Sequence, residues 1–225
     1  MNPLMRLARY TKAWAQFGKI QRLTLDSHSL EEIVDEVFRY ADGFFAPVQQ
    51  REEFLGALRV VANARPRYIV EVGTSMGGTL LLWTRIAHPE ATIITIDLPG
   101  GDFGGGSSYL RVPLFRRFRL PKQKLYLIRG DSHKPETLAL TRQYLEGHEA
   151  DFLFIDADHT EAGVRSDYRM YSPLVKKGGI VLFHDIAINK PEYGVRKLWY
   201  ELAQQYKHRE FLGEPAPWGL GLLYH

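Results

Sequence analysis

Two short clusters in the second half of the chain carry residue types that do chemistry. One is Asp156-Ala157-Asp158-His159 and the other is His184-Asp185. Carboxylates grouped this way suit a divalent cation such as Mg²⁺, which takes oxygen ligands and keeps several waters. The candidate ligands are Asp156 and Asp185, with Asp158 as a further one. An imidazole titrates near neutrality, so His159 is the candidate general base, with Asp156 beside it. The bland reading has Asp156 capping the next helix and Asp185 fixing a loop.

A third group lies upstream, in Glu71-Val72-Gly73-Thr74-Ser75-Met76-Gly77-Gly78-Thr79. Glycines between a strand and a helix let the backbone turn tightly and approach a ligand, and the helix N-terminus offers free N–H groups. The spacing is G-x-x-x-G-G, not the dinucleotide pattern G-x-G-x-x-G. The carboxylate of Glu71 would repel a pyrophosphate and suit a cationic, phosphate-free nucleoside such as S-adenosylmethionine (SAM). Candidate contacts in the loop are Glu71, Gly73, Thr74, Ser75 and Gly77. Asp97, followed by Leu98, ends the next strand, where an acid accepts from both ribose hydroxyls. Asp131 and Ser132, in Arg129-Gly130-Asp131-Ser132, are placed to meet an adenine edge.

These groups need elements that bring them to one edge. Five short apolar runs read as strands: Tyr68–Val72, Thr92–Ile96, Leu125–Arg129, Phe152–Ile155 and Ile180–Phe183. Helical patterns over 77–87, 160–175 and 192–206 alternate with them. Such alternation predicts an α/β, doubly wound, Rossmann-like parallel sheet with its ligand at the strands' carboxyl ends. Arg209–Leu212 and Trp218–Tyr224 have only the turn GEPAP between them and should pair antiparallel. Trp218 and Tyr224 are expected to pack those strands.

Ahead of this lie three helical patterns. Residues 3–23 carry an apolar face at Leu4, Leu7, Ala8, Trp14 and Ala15, suited to docking or a homodimer contact. Ser29 and Glu32 make a capping box opening a helix over 30–42, and Pro47 is expected to start another ending near Ala64. The chain divides into an N-terminal helical cap, 1–46, and a domain, 47–225. Within the long irregular stretch 98–124, Gly100–Ser108 with Phe103 and Tyr109 has the composition of a lid. Arg111, Arg116, Arg117 and Arg119 follow it and would favour an anionic acceptor if free.

Composition excludes several classes. The 225 residues contain no cysteine, so disulfides, thiolate metal sites and a Cys nucleophile are ruled out. A formal net charge of +3 gives no case for nucleic acid. No apolar run is long enough for a transmembrane segment, and the N-terminus lacks a signal-peptide core, so a cytoplasmic location is expected.

The ordered set VEVGTSMGGT, TIDLPGG, RGDS, FIDADHTEAGVRSDY and LVKKGGIVLFHD resembles the class I SAM-dependent methyltransferases. The likeness is to methyltransferase family 24, the small-molecule O-methyltransferase and cephalosporin hydroxylase-like branch, and it covers about residues 47–225. It implies a seven-stranded sheet, mostly parallel, ending in an antiparallel hairpin. It implies that Glu71 and Gly73 to Ser75 hold the methionine part of SAM, Asp97 the ribose, and Asp131 with Ser132 the adenine. The implied activity is methyl transfer to a hydroxyl of a small molecule of sugar, polyketide or phenol type. Metal-dependent relatives use acids matching Asp156 and Asp185 and add an amide just after the second; here that residue is Ile186. The cephalosporin hydroxylase-like relatives carry an acid where this chain has His184. Competing readings are a metal-independent N-methyltransferase, a non-catalytic SAM-binding assembly protein, and a nicotinamide-dependent oxidoreductase.

Overall fold

In the computed structural model, residues 3–99, 111–213 and 218–225 are described. Three helices come first: α1 (Pro3–Gln21), α2 (Leu30–Arg39) and α3 (Arg51–Ala64). Strands and helices then alternate as β1 (Tyr68–Val72), α4 (Gly78–Ile86), β2 (Thr92–Asp97), α5 (Val112–Phe115), β3 (Lys124–Arg129), α6 (Pro135–Leu145), β4 (Ala150–Ile155) and α7 (Glu161–Tyr171). A 3₁₀ turn, β5 (Val175–His184), α8 (Val195–Ala203), β6 (Lys207–Phe211) and β7 (Leu220–Tyr224) complete the chain.

The seven strands form one sheet in the order β3-β2-β1-β4-β5-β7-β6. Neighbours from β3 to β5 pair parallel, while β7 pairs antiparallel with both β5 and β6. Strand order reverses between β1 and β4, which makes the gap outside their carboxyl ends the topological switch point. The central strands are apolar on both faces because successive side chains alternate. Ile69, Ile93, Phe152, Phe154 and Leu182 face one core shared with α1 to α4. Val70, Val72, Ile94, Leu153, Ile155 and Val181 face a second core shared with α7 and α8. Each fully buried aliphatic or phenyl side chain contributes about 1.5–3 kcal/mol, so both helical layers are firmly attached.

Several local expectations are corrected. The buried face of α1 is Ala13, Phe17 and Ile20, with Tyr10 and Trp14 partly covered, whereas Leu7, Ala8 and Ala15 are exposed. Phe17 stacks on Phe118, and the Arg117 guanidinium lies over both Trp14 and Phe17. Aromatic packing, not the aliphatic stripe, therefore sets the rotation of α1. Helix α2 carries its capping box, with Ser29 N–H donating to Glu32 at 2.8 Å, but stops at Arg39 because Ala41, Asp42 and Gly43 adopt left-handed φ. Pro47 does not start α3. The helix begins at Arg51, and residues 47–50 run as an irregular segment in which Pro47 sits against Gly78. Helix α6 is absent from the sequence reading; Pro135 at its first turn and Glu136 beside it were its signals. The proposed lid Gly100–Ser108 with Tyr109 lies outside the described residues.

Arg111 and Arg117 are structural. Arg111 lies 4.2 Å over the Phe44 ring and donates to the Phe44 carbonyl at 2.8 Å; burial lowers its pKa to about 10. Among the described residues, no helix is long and apolar enough to cross a membrane.

Candidate active site

At the switch point, β1 delivers the glycine loop. The Gly73 N–H donates to the Ile96 carbonyl, and the Asp156 N–H donates to the Val72 carbonyl, so the sheet's hydrogen bonding continues into both loops. Gly73 adopts φ +101°, and a Cβ there would lie 2.0 Å from the Asp156 carbonyl oxygen. The close approach of the β1 and β4 loops thus requires glycine. Gly77 holds φ +86° at the N-cap of α4, pressed on Phe115.

A cavity of about 480 Å³ opens over this point. Gly73, Thr74, Ser75, Asp97, Leu98, Asp131, Ser132, Asp156, Asp158, His159 and Asp185 all line it. Glu71 and Gly77 are not among its lining residues. Glu71 is fully buried, and its carboxylate accepts from Trp83 Nε1 at 2.8 Å and from Thr95 Oγ1 at 2.6 Å. Burial raises its pKa to about 7, against the opposing effect of those hydrogen bonds. Glu71 therefore acts on the cavity from behind its lining. Thr95 also hydrogen-bonds Thr74, so Glu71 supports the loop through a hydroxyl relay.

Asp97 Oδ2 accepts the Ser75 N–H at 3.0 Å and fixes the loop to β2. Asp131 Oδ1 accepts the His133 N–H at 2.9 Å, while Tyr171 donates to the Ser132 carbonyl at 2.8 Å. These bonds present the two residues on a rigid turn.

The far end of the cavity is ionic. His159 Nε2 lies 2.9 Å from Asp185 Oδ2 and 3.4 Å from Asp156 Oδ1. His184 Nδ1 lies 3.2 Å from Asp156 Oδ1 and 3.1 Å from Asp185 Oδ1. Burial opposes charge on both imidazoles, but the two carboxylates outweigh it and raise His159 to about 9 and His184 to about 10. The same contacts hold Asp156 and Asp185 below the usual carboxylate range despite their burial. The two carboxylates thus favour the charged form of the His159 ring. Asp185 takes left-handed φ +65°, a conformation that costs a non-glycine residue about 1–3 kcal/mol and gathers at functional sites.

Asp156, His184 and Asp185 each offer a donor atom within 4.8 Å of the others, an arrangement able to hold a metal ion. Asp158 does not join them. Its Oδ1 accepts the Thr160 N–H at 2.9 Å and its carboxylate packs on Gly163, at the start of α7.

Three further residues border this end. Gln49 Nε2 donates to Asp156 Oδ2 at 2.9 Å from the irregular segment before α3. Tyr193 stacks obliquely on His159, with ring centroids 5.2 Å apart. Trp218, expected only to pack the last strands, lines the cavity with its ring 6.1 Å from His184. His184 itself belonged to a visible motif, but no spacing rule distinguished it as a ligand. Gln49 carried no local signal, because tertiary packing alone brings it to Asp156.

A sequence model of the family described as "Methyltransferase domain" matches residues 70–186. An uncharacterized protein y4gI of Sinorhizobium fredii (strain NBRC 101917 / NGR234) is 29% identical over 168 residues, which is 73% of this chain and 18% of that protein. The chain thus spans less than a fifth of that relative's length. An O-methyltransferase from Bacillus cereus, solved in complex with SAH (S-adenosylhomocysteine), superposes with a TM-score of 0.56 at 18% identity, covering 88% of this chain and 92% of its own. MycE methyltransferase from the mycinamycin biosynthetic pathway, solved with Mg, SAH and mycinamycin VI, gives a TM-score of 0.56 at 18% identity over 88% of this chain and 54% of its own. At these identities the structural likeness is one of fold.

Proposed function

The chain belongs to the methyltransferase-domain family, whose sequence model covers more than half of it, and we propose that it transfers the methyl group of SAM to a hydroxyl of a small molecule. In this reading residues 1–46 cap a catalytic domain formed by 47–225. The backbone of Gly73, Thr74 and Ser75 meets the methionine end of SAM, Asp97 accepts from the ribose hydroxyls with Leu98 beside it, and Asp131 with Ser132 meets the adenine. The observation that carries the reading is that these residues and the Asp156–His159–Asp185 cluster share one cavity at the switch point.

Methyl transfer is an in-line displacement, so positioning and deprotonation of the acceptor are what the protein must supply. Two carboxylates and an imidazole nitrogen converge at the far end, which fits a divalent cation held by Asp156 and Asp185. Such an ion, when bound, lowers the pKa of a ligated hydroxyl. His159 Nε2 is the proposed proton acceptor. Its two carboxylate neighbours hold the ring charged in the free protein, so it accepts a proton only once those carboxylates are engaged elsewhere.

The test begins with calorimetric titration of SAH and of NAD. Tight SAH binding and no NAD binding are expected; the reverse would overturn the reading. Transfer of labelled methyl from SAM is then measured on hydroxylated acceptors, with and without EDTA. On an accepted substrate, undiminished turnover by His159→Ala would remove the proton-acceptor assignment.

A further inference from the structure

We propose that His184 Nδ1 is a direct ligand of the cation held by Asp156 and Asp185, and that this nitrogen makes the site prefer a first-row transition ion such as Mn²⁺ or Fe²⁺ to Mg²⁺. The inference rests on the cation part of the function proposed above and is independent of which acceptor is used.

Geometry comes first. Nδ1 lies 3.2 Å from Asp156 Oδ1 and 3.1 Å from Asp185 Oδ1. Adjacent ligands of an octahedral ion with bonds of about 2.1 Å stand about 3 Å apart, so these separations match cis positions around one ion. Nδ1 bears at most one hydrogen, which the two oxygens can only share, whereas a bound ion would take one donor atom from each of the three residues once that proton is displaced. The opposite nitrogen, Nε2, has no hydrogen-bond partner among the described residues, so Nδ1 is the nitrogen that the ring presents to the carboxylates.

Gln49 provides an independent observation. The side chain lines the cavity in a residue only 6% exposed, and its amide nitrogen holds Asp156 Oδ2, leaving Oδ1 to the cluster. Its own Oε1 is buried with no partner among the described residues. A buried acceptor left unpaired is unfavourable, and a water carried by a bound cation would satisfy it.

The donor types then choose the ion. Mg²⁺ takes oxygen ligands in near-ideal octahedra, whereas imidazole favours iron, zinc and their neighbours, and carboxylates accept manganese. One nitrogen and two carboxylate oxygens at the edge of an open cavity suit Mn²⁺ or Fe²⁺ with exchangeable positions.

Mn²⁺ is the probe. The chelator-stripped protein is titrated with Mn²⁺ by electron paramagnetic resonance, and pulsed spectra are searched for coupling to a directly bound ¹⁴N. One Mn²⁺ per chain with imidazole coupling is expected, surviving about a hundredfold excess of Mg²⁺. His184→Asp should abolish the coupling and improve Mg²⁺ competition by about tenfold or more. His184→Gln, which removes the imidazole nitrogen without adding a carboxylate, should also lose the coupling. SAH binding, measured on every variant, reports folding and tests the methyltransferase reading separately. If SAH binds while Mn²⁺ fails to bind, shows no ¹⁴N coupling, or is displaced by Mg²⁺ equally in wild type and His184→Asp, the inference is wrong.

Discussion

The indole N–H of Trp83 donates to the carboxylate of Glu71 at 2.8 Å, inside the core and behind the glycine loop. An acid beside a cofactor loop is most simply read as touching the cofactor. Here it is fully buried, and its influence passes through Thr95 and Thr74.

A pH-dependent cost follows from that burial. The folded pKa of Glu71 is about 7 against an ordinary 4.5, so the folded state holds a proton that the unfolded state has released. Stability from this group is unaffected below pH 4.5, falls as pH rises toward 7, and is reduced by about 3 kcal/mol above that. Glu71→Gln removes the titration. Urea denaturation at pH 5 and pH 8.5 should show the variant gaining on wild type at the higher pH; parallel curves would contradict the assignment.

Gly73 should tolerate no side chain. A Cβ would strike the Asp156 carbonyl oxygen at 2.0 Å, and φ +101° is itself unfavourable for alanine. Gly73→Ala is expected to destabilise the fold by more than about 3 kcal/mol and to abolish SAH binding. Gly147→Ala is the control, since its φ is +84° but nothing lies within 4 Å of the added carbon. It should cost only about 1 kcal/mol. Equal losses in the two variants would show that the contact with Asp156 is unimportant.

Asp97 separates binding from folding. Asparagine can still accept the Ser75 N–H, so the loop should persist, while the charged acceptor for a ribose is lost. Charge-assisted hydrogen bonds contribute about 1.5–3 kcal/mol, so Asp97→Asn should weaken SAH by roughly 10- to 100-fold with little change in Tm. Calorimetry with unchanged affinity would remove Asp97 from the proposed ribose contact.

The sheet was legible because each central strand is a short apolar run and each faces two cores. The antiparallel pairing of β6 with β7 was legible because no helix fits between them. Helix α6 was not, since it buries only Thr137, Thr141 and Leu145, and Pro135 with Glu136 alone mark its start. At the site, Gly73, Asp97, Asp131 and Asp156 could be placed because each ends a strand at the same edge. The orientation of Glu71 could not, because the face that a strand residue takes depends on what packs there, in this case Trp83. Gln49 was invisible for a related reason: it reaches Asp156 across 107 residues of sequence.

That reach gives the segment before α3 a say in the chemistry. Residues 70–186 hold the glycine loop and both acid clusters, yet the amide steadying Asp156 comes from outside them. A fragment trimmed to the shared region would lose β6 and β7 along with the brace on its central acid. A change at position 49 can therefore retune this centre without altering any residue of the common core.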